Sequence, residues 1–357
     1  MQGQPWNSVN KRPREERKNK RMSKLIVPKD YEPILGLNET QKAIKRIKDY
    51  FQKSLAHDLN LQRVSAPLFV FPETGLNDNL NGYERRVEFT IKDIDEKKVE
   101  VVQSLAKWKR NALGRYGMEP GYGLYTDMDA IRRDEELDNI HSIYVDQWDW
   151  EKVITADQRN EKYLEHTVRI IYRCMQDLGE YVNDHYPQLN IEMADRIKFI
   201  DSQDLEDEYP DKTPKEREKL AAEEYGAVFI KKIGKTLKSG NKHDGRAPDY
   251  DDWELNGDII VWNPVLEDQL ELSSMGIRVD SEAMLRQLKL DDKEDRKDLD
   301  FHKKIINDEL PLTIGGGIGQ SRLCMYFLKK AHIGEVQVSV WPDDMIEECA
   351  KNKIFLL

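Results

Sequence analysis

The chain is 357 residues long and carries 56 Lys and Arg against 67 Asp and Glu, a formal charge of −11. That balance disfavours a protein whose main task is to grip a phosphate backbone, because such a protein needs a basic face. The charge is also uneven: residues 1–24 hold eight basic and two acidic residues, a net +6, which leaves −17 to residues 25–357. Hydrophobic residues make up 39% of the chain, well above a disordered composition, and 7 Trp, 15 Tyr and 9 Phe can supply a core. At roughly 150 residues per domain the length fits two or three domains, or one large α/β or α+β domain. No apolar run is long enough to span a membrane and the N-terminus lacks the apolar segment of a secretory signal. Cys174, Cys324 and Cys349 are dispersed, odd in number and without a CxxC partner, so they read as core or surface thiols in a reducing compartment.

In chain order, residues 11–21 have no apolar period and read as a basic, disordered, solvated extension. Asn38, with Gln41 three residues on, predicts a helix start, and Ile44, Ile47, Phe51 and Leu55 continue it at three- and four-residue spacing. Residues 64–71 are apolar and β-branched enough for a strand, broken by Pro67 near its edge. A strand over 124–131 ends at Arg132, before the charged loop 133–138. Residues 141–151 alternate, placing Gln147, Asp149 and Glu151 on one face and Tyr144, Trp148 and Trp150 on the other. A long helix is predicted near 158–184, where Leu164, Val168, Ile171, Met175, Leu178 and Val182 form one stripe. The charged segments 203–223 and 290–309 read as amphipathic helices, and residues 234–257 as an irregular functional loop, too long for an ordinary connection.

Two segments carry most of the chemical information. In residues 257–274 two apolar runs flank Asn263-Pro264, which predicts an antiparallel hairpin centred between Pro264 and Val265, with Asp258 directly opposite Glu271. Two facing carboxylates repel, so such a pair needs a cation or a shared proton, and Mg²⁺ on substrate phosphates is commonly held this way. In residues 312–328 a strand runs into Gly315, Gly316, Gly317 and Gly319 and then an apolar helix with Arg322 in its first turn. The spacing is neither a P-loop nor GxGxxG. A glycine-lined surface beside an arginine suits a flat ring or a phosphate, while tight helix–strand packing would explain the glycines alone.

A strand–loop–strand bearing Arg132, followed by paired strand carboxylates and a glycine-rich strand leading to Arg322, resembles the second and third motifs of class II aminoacyl-tRNA synthetases. More closely, Gly75-Leu76-Asn77-Asp78-Asn79-Leu80, Gln103-Ser104-Leu105-Ala106-Lys107-Trp108-Lys109-Arg110, Tyr144-Val145-Asp146-Gln147-Trp148-Asp149-Trp150-Glu151, Arg246-Ala247-Pro248-Asp249-Tyr250-Asp251-Asp252-Trp253, Glu271-Leu272-Ser273-Ser274-Met275-Gly276-Ile277-Arg278 and residues 315–322 resemble the ammonia-dependent asparagine synthetases, or aspartate–ammonia ligases. The match runs from about residue 38 to the C-terminus; Gln103 stands where relatives are expected to carry a histidine, which puts any role of that histidine in doubt here.

The resemblance implies an α+β fold, a class II synthetase-like antiparallel sheet flanked by helices, with residues 25–357 as one catalytic domain behind the 1–24 extension. It implies synthesis of asparagine from aspartate, ammonia and ATP through a β-aspartyl-adenylate, with Mg²⁺, in a cytoplasmic homodimer that uses neither tRNA nor membrane. Arg132 would bind the α-phosphate, Arg322 and Gly317 would meet the nucleotide, and Asp258 with Glu271 would place Mg²⁺. Asp78, Gln147 and Asp149 are candidates for the substrate amino group or ammonia, Lys109, Arg246 and Arg278 for its carboxylates, with Ser274 adding a hydrogen bond; Asp78 or Asp251 could take the proton from ammonium. The 234–257 loop is expected to close over the substrates. The alternatives are an aspartyl- or asparaginyl-tRNA synthetase, which the charge of −17 opposes, and a catalytically dead amino-acid-binding relative, which has no use for a metal pair.

Overall fold

The computed structural model describes residues 24–80 and 82–357. The basic extension therefore lies, Lys24 apart, outside the described residues. The strands are β1 (Leu61–Arg63), β2 (Phe69–Val70), β3 (Glu88–Ile91), β4 (Lys97–Val101), β5 (Gly123–Ile131), β6 (Tyr144–Val153), β7 (Lys198–Asp201), β8 (Ala227–Lys231), β9 (Asp251–Asn263), β10 (Asp268–Arg278) and β11 (Thr313–Gly319). Eight of them form one sheet in the order β1-β5-β6-β11-β10-β9-β8-β7, antiparallel except for the two edge pairs, and β2-β4-β3 form a small second sheet. The α-helices are α1 (Leu37–Leu59), α2 (Ala106–Tyr116), α3 (Glu161–His185), α4 (Ser202–Glu208), α5 (Pro214–Tyr225), α6 (Ser281–Leu290), α7 (Asp300–Ile306), α8 (Gln320–Phe327) and α9 (Asp343–Lys351). The molecule is α+β, as the sequence predicts.

One face of the large sheet is apolar because its inward positions alternate along each strand. Trp148 and Trp150 of β6, Ile259 and Val261 of β9, Leu270 of β10 and Ile314 and Ile318 of β11 pack against Ile47, Phe51 and Leu55 of α1, Val168, Ile171 and Leu178 of α3, and Leu323 and Phe327 of α8. Phe51 is fully buried there, so Phe51→Ala should cost roughly 3–5 kcal/mol. On the opposite face, α5 covers the β8–β10 end, where Ala221 and Ala222 meet Val228, Ile230 and Ile260, and α2 packs Ala112 and Leu113 on Leu124 and Val153 at the β5–β6 end. Between these two helices the central parts of β6, β11 and β10 present a polar face. All three cysteines are buried, and burial pushes the thiols of Cys174 and Cys324 up to about 12, as core residues rather than nucleophiles.

Several boundaries differ from the sequence expectation. α1 starts at Leu37 behind an extended Gly36 that supplies no side-chain cap, so Asn38 lies in the first turn; the buried Leu35 fixes the chain there, accepting the Thr40 hydroxyl on its carbonyl at 3.3 Å. Of residues 64–71 only Phe69–Val70 pair as a strand, because Pro67 interrupts the run between the two sheets. Residues 203–223 divide into α4 and α5 at the Thr213–Glu216 capping box and Pro214, and residues 290–309 supply only α7 and a short 3-10 turn. The irregular stretch ends at residue 250, since Asp251 already pairs with Arg278 in the sheet.

The hairpin register is also corrected. Asn263 Oδ1 accepts from the backbone N–H of Val265 at 3.0 Å and Leu266 at 3.4 Å, an Asx turn that lengthens the connection so that Asn263 pairs with Asp268. Asp258 consequently faces Ser274, and Glu271 faces Ile260. A bulge between Glu271 and Ser273 then returns Glu271 and Ser274 to one face, so Asp258 and Glu271 are diagonal neighbours on the same side of the sheet rather than an opposed pair.

Candidate active site

The polar face is the floor of a cavity of about 540 Å³, within the usual range for a small-molecule site. Asp78, Lys109, Arg132, Gln147, Asp149, Arg246, Asp251, Glu271, Ser274, Arg278, Gly317 and Arg322 all line it. Of the sequence candidates Asp258 alone does not, being buried behind Arg246. The predicted alternation in β6 accounts for the floor: Gln147, Asp149 and Glu151 stand opposite Gly319, Gly317 and Gly315 of β11. Tyr144, predicted to share the tryptophan face, instead reaches the cavity rim from the strand's first position, donating its hydroxyl to Asp129 at 2.7 Å.

The glycines are required by what lies over them. A Cβ on Gly315 would fall 2.0 Å from Glu151 Oε2, and one on Gly317 would fall 2.4 Å from Gln147 Oε1. The flat strip is therefore a seat for neighbouring side chains, not only an open platform.

Two buried ionic groups cross the floor. Arg278 reaches Glu151 through Nε at 3.0 Å and Nη2 at 2.7 Å and also pairs with Asp251, while Thr313 donates to Glu151 Oε1 at 2.7 Å. Burial raises both carboxyls, but Arg278 and its hydrogen bonds hold Glu151 below its ordinary value, whereas Asp251 stays raised. One guanidinium shared by two acids thus leaves Asp251 the more basic of them. Lys109 pairs with Asp149 and donates to the Gly316 carbonyl at 3.0 Å; complete burial lowers its pKa despite Asp149.

Nearer the solvent, Arg246 donates to Ser274 Oγ at 2.8 Å and to Asp258 Oδ1 at 2.6 Å. Burial and then the Glu271 charge push the Asp258 carboxyl up against the pull of Arg246. Burial would also raise Glu271, but Arg322, Lys215 and Arg246 together hold it below its ordinary value. Arg322, in the first turn of α8 as predicted, donates to the carbonyls of Ile140 and Glu271 at 3.3 and 3.1 Å and lies 3.7 Å from the Glu271 carboxylate. Arg132 donates only to the Gln103 carbonyl, at 3.4 Å, and forms no ion pair among the described residues. Asp78 is buried, with Oδ1 accepting from the Leu80 N–H at 2.9 Å.

Three contributors were not singled out in the sequence. Alternation puts Glu151 on the polar face but signals no role for it. Tyr250 and Lys215 line the cavity as well, the first beside Arg246, the second from an outwardly ordinary charged helix that gives no local signal.

Residues 38–353 match the family model for aspartate–ammonia ligase. The chain belongs to the aspartate–ammonia ligase family. Among curated relatives, an aspartate–ammonia ligase from Clostridium tetani is 60% identical over 334 residues, covering 94% of this chain and 98% of the relative. One from Bacillus cytotoxicus is 59% identical over 326 residues, covering 91% and 99%. Among solved structures, an asparaginyl-tRNA synthetase from Pyrococcus horikoshii complexed with asparaginyl-adenylate aligns with a TM-score of 0.62 at 16% identity, covering 85% of this chain and 70% of that one. The Entamoeba histolytica asparaginyl-tRNA synthetase, also with asparaginyl-adenylate, gives 0.59 at 14% identity, covering 84% of this chain and 66% of that one. These likenesses establish the class II synthetase fold, and family membership makes the chain an enzyme, a ligase of asparagine biosynthesis. Among the described residues no helix is long and apolar enough to cross a membrane.

Proposed function

We propose that the chain makes L-asparagine from L-aspartate and ammonia at the expense of ATP, through a β-aspartyl-adenylate that releases pyrophosphate and then AMP. One observation carries this reading: a floor of buried paired charges of both signs adjoins two half-buried arginines, Arg132, which forms no ion pair among the described residues, and Arg322, whose one carboxylate contact, Glu271, lies 3.7 Å away. Aspartate brings an ammonium and two carboxylates and needs the first set, and a triphosphate needs the second. The curated relatives are named for aspartate and ammonia, and the two solved synthetases hold an adenylate of the product's amino acid.

In this reading Asp78, Gln147 and Asp149 orient the amino group or ammonia, and Lys109, Arg246 and Arg278 orient the carboxylates, with Ser274 beside Arg246. An oxygen of the β-carboxylate attacks the α-phosphorus, and the bond to the β-phosphate oxygen breaks, leaving pyrophosphate with the electron pair. Arg132 stabilises the charge developing on the α-phosphate, while Arg322 and the Gly317 strip hold the nucleotide. Ammonia then attacks the acyl carbon and AMP departs. The proton lost by ammonium passes to Asp78 or Asp251, and the raised pKa of Asp251 suits it to that task. Mg²⁺ takes one or two protein carboxylates and substrate phosphates; Glu271, which lines the cavity, would hold it to neutralise phosphate charge, with Asp258, on the same sheet face but behind Arg246, joining once that guanidinium turns to the substrate. Residues 25–357 act as one catalytic domain, without tRNA, in a cytoplasmic homodimer; sedimentation at the monomer mass would remove the last of these.

The test is conversion of ATP to AMP by the purified chain with aspartate, with and without ammonium. Asparagine formed only with ammonium and without tRNA supports the proposal. Aspartate-dependent ATP–pyrophosphate exchange that yields no asparagine overturns it, and aminoacylation of tRNA would transfer the chain to the synthetase reading.

A further inference from the structure

Apolar packing decides where Lys215 sits. α5 lays Ala221 and Ala222 on Val228, Ile230 and Ile260, on the same sheet face as Asp258 and Glu271, and so brings its first turn to the cavity. Lys215 lines that cavity together with Arg246, Glu271 and Arg322. Its Nζ lies 2.9 Å from Glu218 Oε2 and 3.6 Å from Asp244 Oδ2, with 59% of the side chain exposed. Burial works against its charge, but Glu218, Asp244 and Glu271 outweigh that and keep the ammonium protonated.

The other cations beside the carboxylate pair have little freedom. Arg246 is fixed by Ser274 and Asp258, and Arg322 by two backbone carbonyls and Glu271. Lys215 has a long flexible stem and can turn from Glu218 towards a ligand. Its departure would not strand Glu218, which keeps a contact with His243 Nε2 at 3.1 Å. Phosphates entering the cavity beside Glu271 meet an acid there, where an anion is disfavoured unless a further cation is at hand.

We infer that Lys215 is a further catalytic residue of this site, binding the β- and γ-phosphates of ATP beside Asp258 and Glu271 and staying with them as they leave as pyrophosphate. It donates hydrogen bonds and charge, and no proton is transferred. The inference rests on the reading of ATP as substrate.

Full-chain wild type, Lys215→Met and Lys215→Arg, with Mg²⁺, would be titrated calorimetrically with a non-hydrolysable ATP analogue, with pyrophosphate and with AMP, beside wild-type ATP–pyrophosphate exchange. Lys215→Met should lose about tenfold or more in affinity for the analogue and for pyrophosphate and keep its AMP affinity, with Lys215→Arg recovering most of the loss. AMP lacks the β- and γ-phosphates, so loss of AMP affinity in equal measure would mark a structural effect and overturn the assignment. Unchanged affinity for the analogue would overturn it too. Wild type that binds the analogue but exchanges no pyrophosphate would remove the adenylate reading and leave the Lys215 result to stand or fall on the titrations; wild type that binds neither would remove both.

Discussion

At the cavity floor Lys109 and Arg278 expose 0% and 3% of their side chains, and each is held by carboxylates buried with it; at the rim Arg322 and Lys215 expose 20% and 59%. The floor resembles a buried ion network, in which charges removed from water must keep every partner. The rim resembles a binding surface, in which charge is kept available for a ligand. The fold separates the two because α5, α8 and the 234–250 segment border the cavity while β6, β10 and β11 lie beneath it.

The largest test of this contrast is Arg278→Met, which strands Glu151 and Asp251. It should cost about 3–5 kcal/mol in urea unfolding, as removal of one partner from a buried ion network does. A stability within 1 kcal/mol of wild type, roughly the worth of a surface pair, would show that the floor is not the coupled unit described. At the rim, Glu271→Gln should leave unfolding almost unchanged but lower aspartate-dependent ATP–pyrophosphate exchange about 10²–10³-fold; near-normal exchange would dismiss the proposed metal role.

Beneath the rim, His332 supplies a pH test. Its Nδ1 accepts from the Gly334 N–H at 3.0 Å, and burial lowers its pKa to about 4. An unfolded imidazole takes up a proton near 6.5 and the folded one not until about 4, so the stability present above pH 6.5 is lost as the pH falls across that window, by about 3 kcal/mol. Glu335 next to it, raised mainly by burial, shifts stability the opposite way on protonation, so the difference between wild type and His332→Leu isolates the imidazole. Parallel urea midpoints for the two proteins from pH 7 to 4.5 would refute this reading of His332. A smaller effect is expected for Arg132→Lys, which keeps the charge but loses the fork, at about tenfold in KM for ATP with KM for aspartate unchanged. Removing residues 1–23 should leave both constants as they are, since the family match begins at residue 38.

Much of this was written in local pattern. The alternation of Gln147, Asp149 and Glu151 with Trp148 and Trp150 fixed two faces of β6, and the period of α1 and α3 supplied the core, because side-chain direction follows directly from strand and helix periodicity. The motifs are sufficient to identify the family and most of the polar floor of the cavity, while Asp134, Glu135, His141, Lys215, Asp244 and Gln337 reach its wall from outside them. The register of Asp258 and Glu271 was not legible, because a single Asx turn at Asn263 and a bulge after Glu271 each move partners without changing composition. Nor could the start of β9 be read, since Asp251 is strand only through its pairing with Arg278. Lys215 gives the clearest case of what tertiary structure decided: on the chain it is one charge in an acidic and basic helix, and only the packing of Ala221 and Ala222 onto β8 and β9 turns it towards the carboxylates. Sequence determined which side chains share a face, because that is a property of neighbouring residues; which faces meet, and which charges are left unneutralised where they do, depends on contacts between residues more than a hundred positions apart.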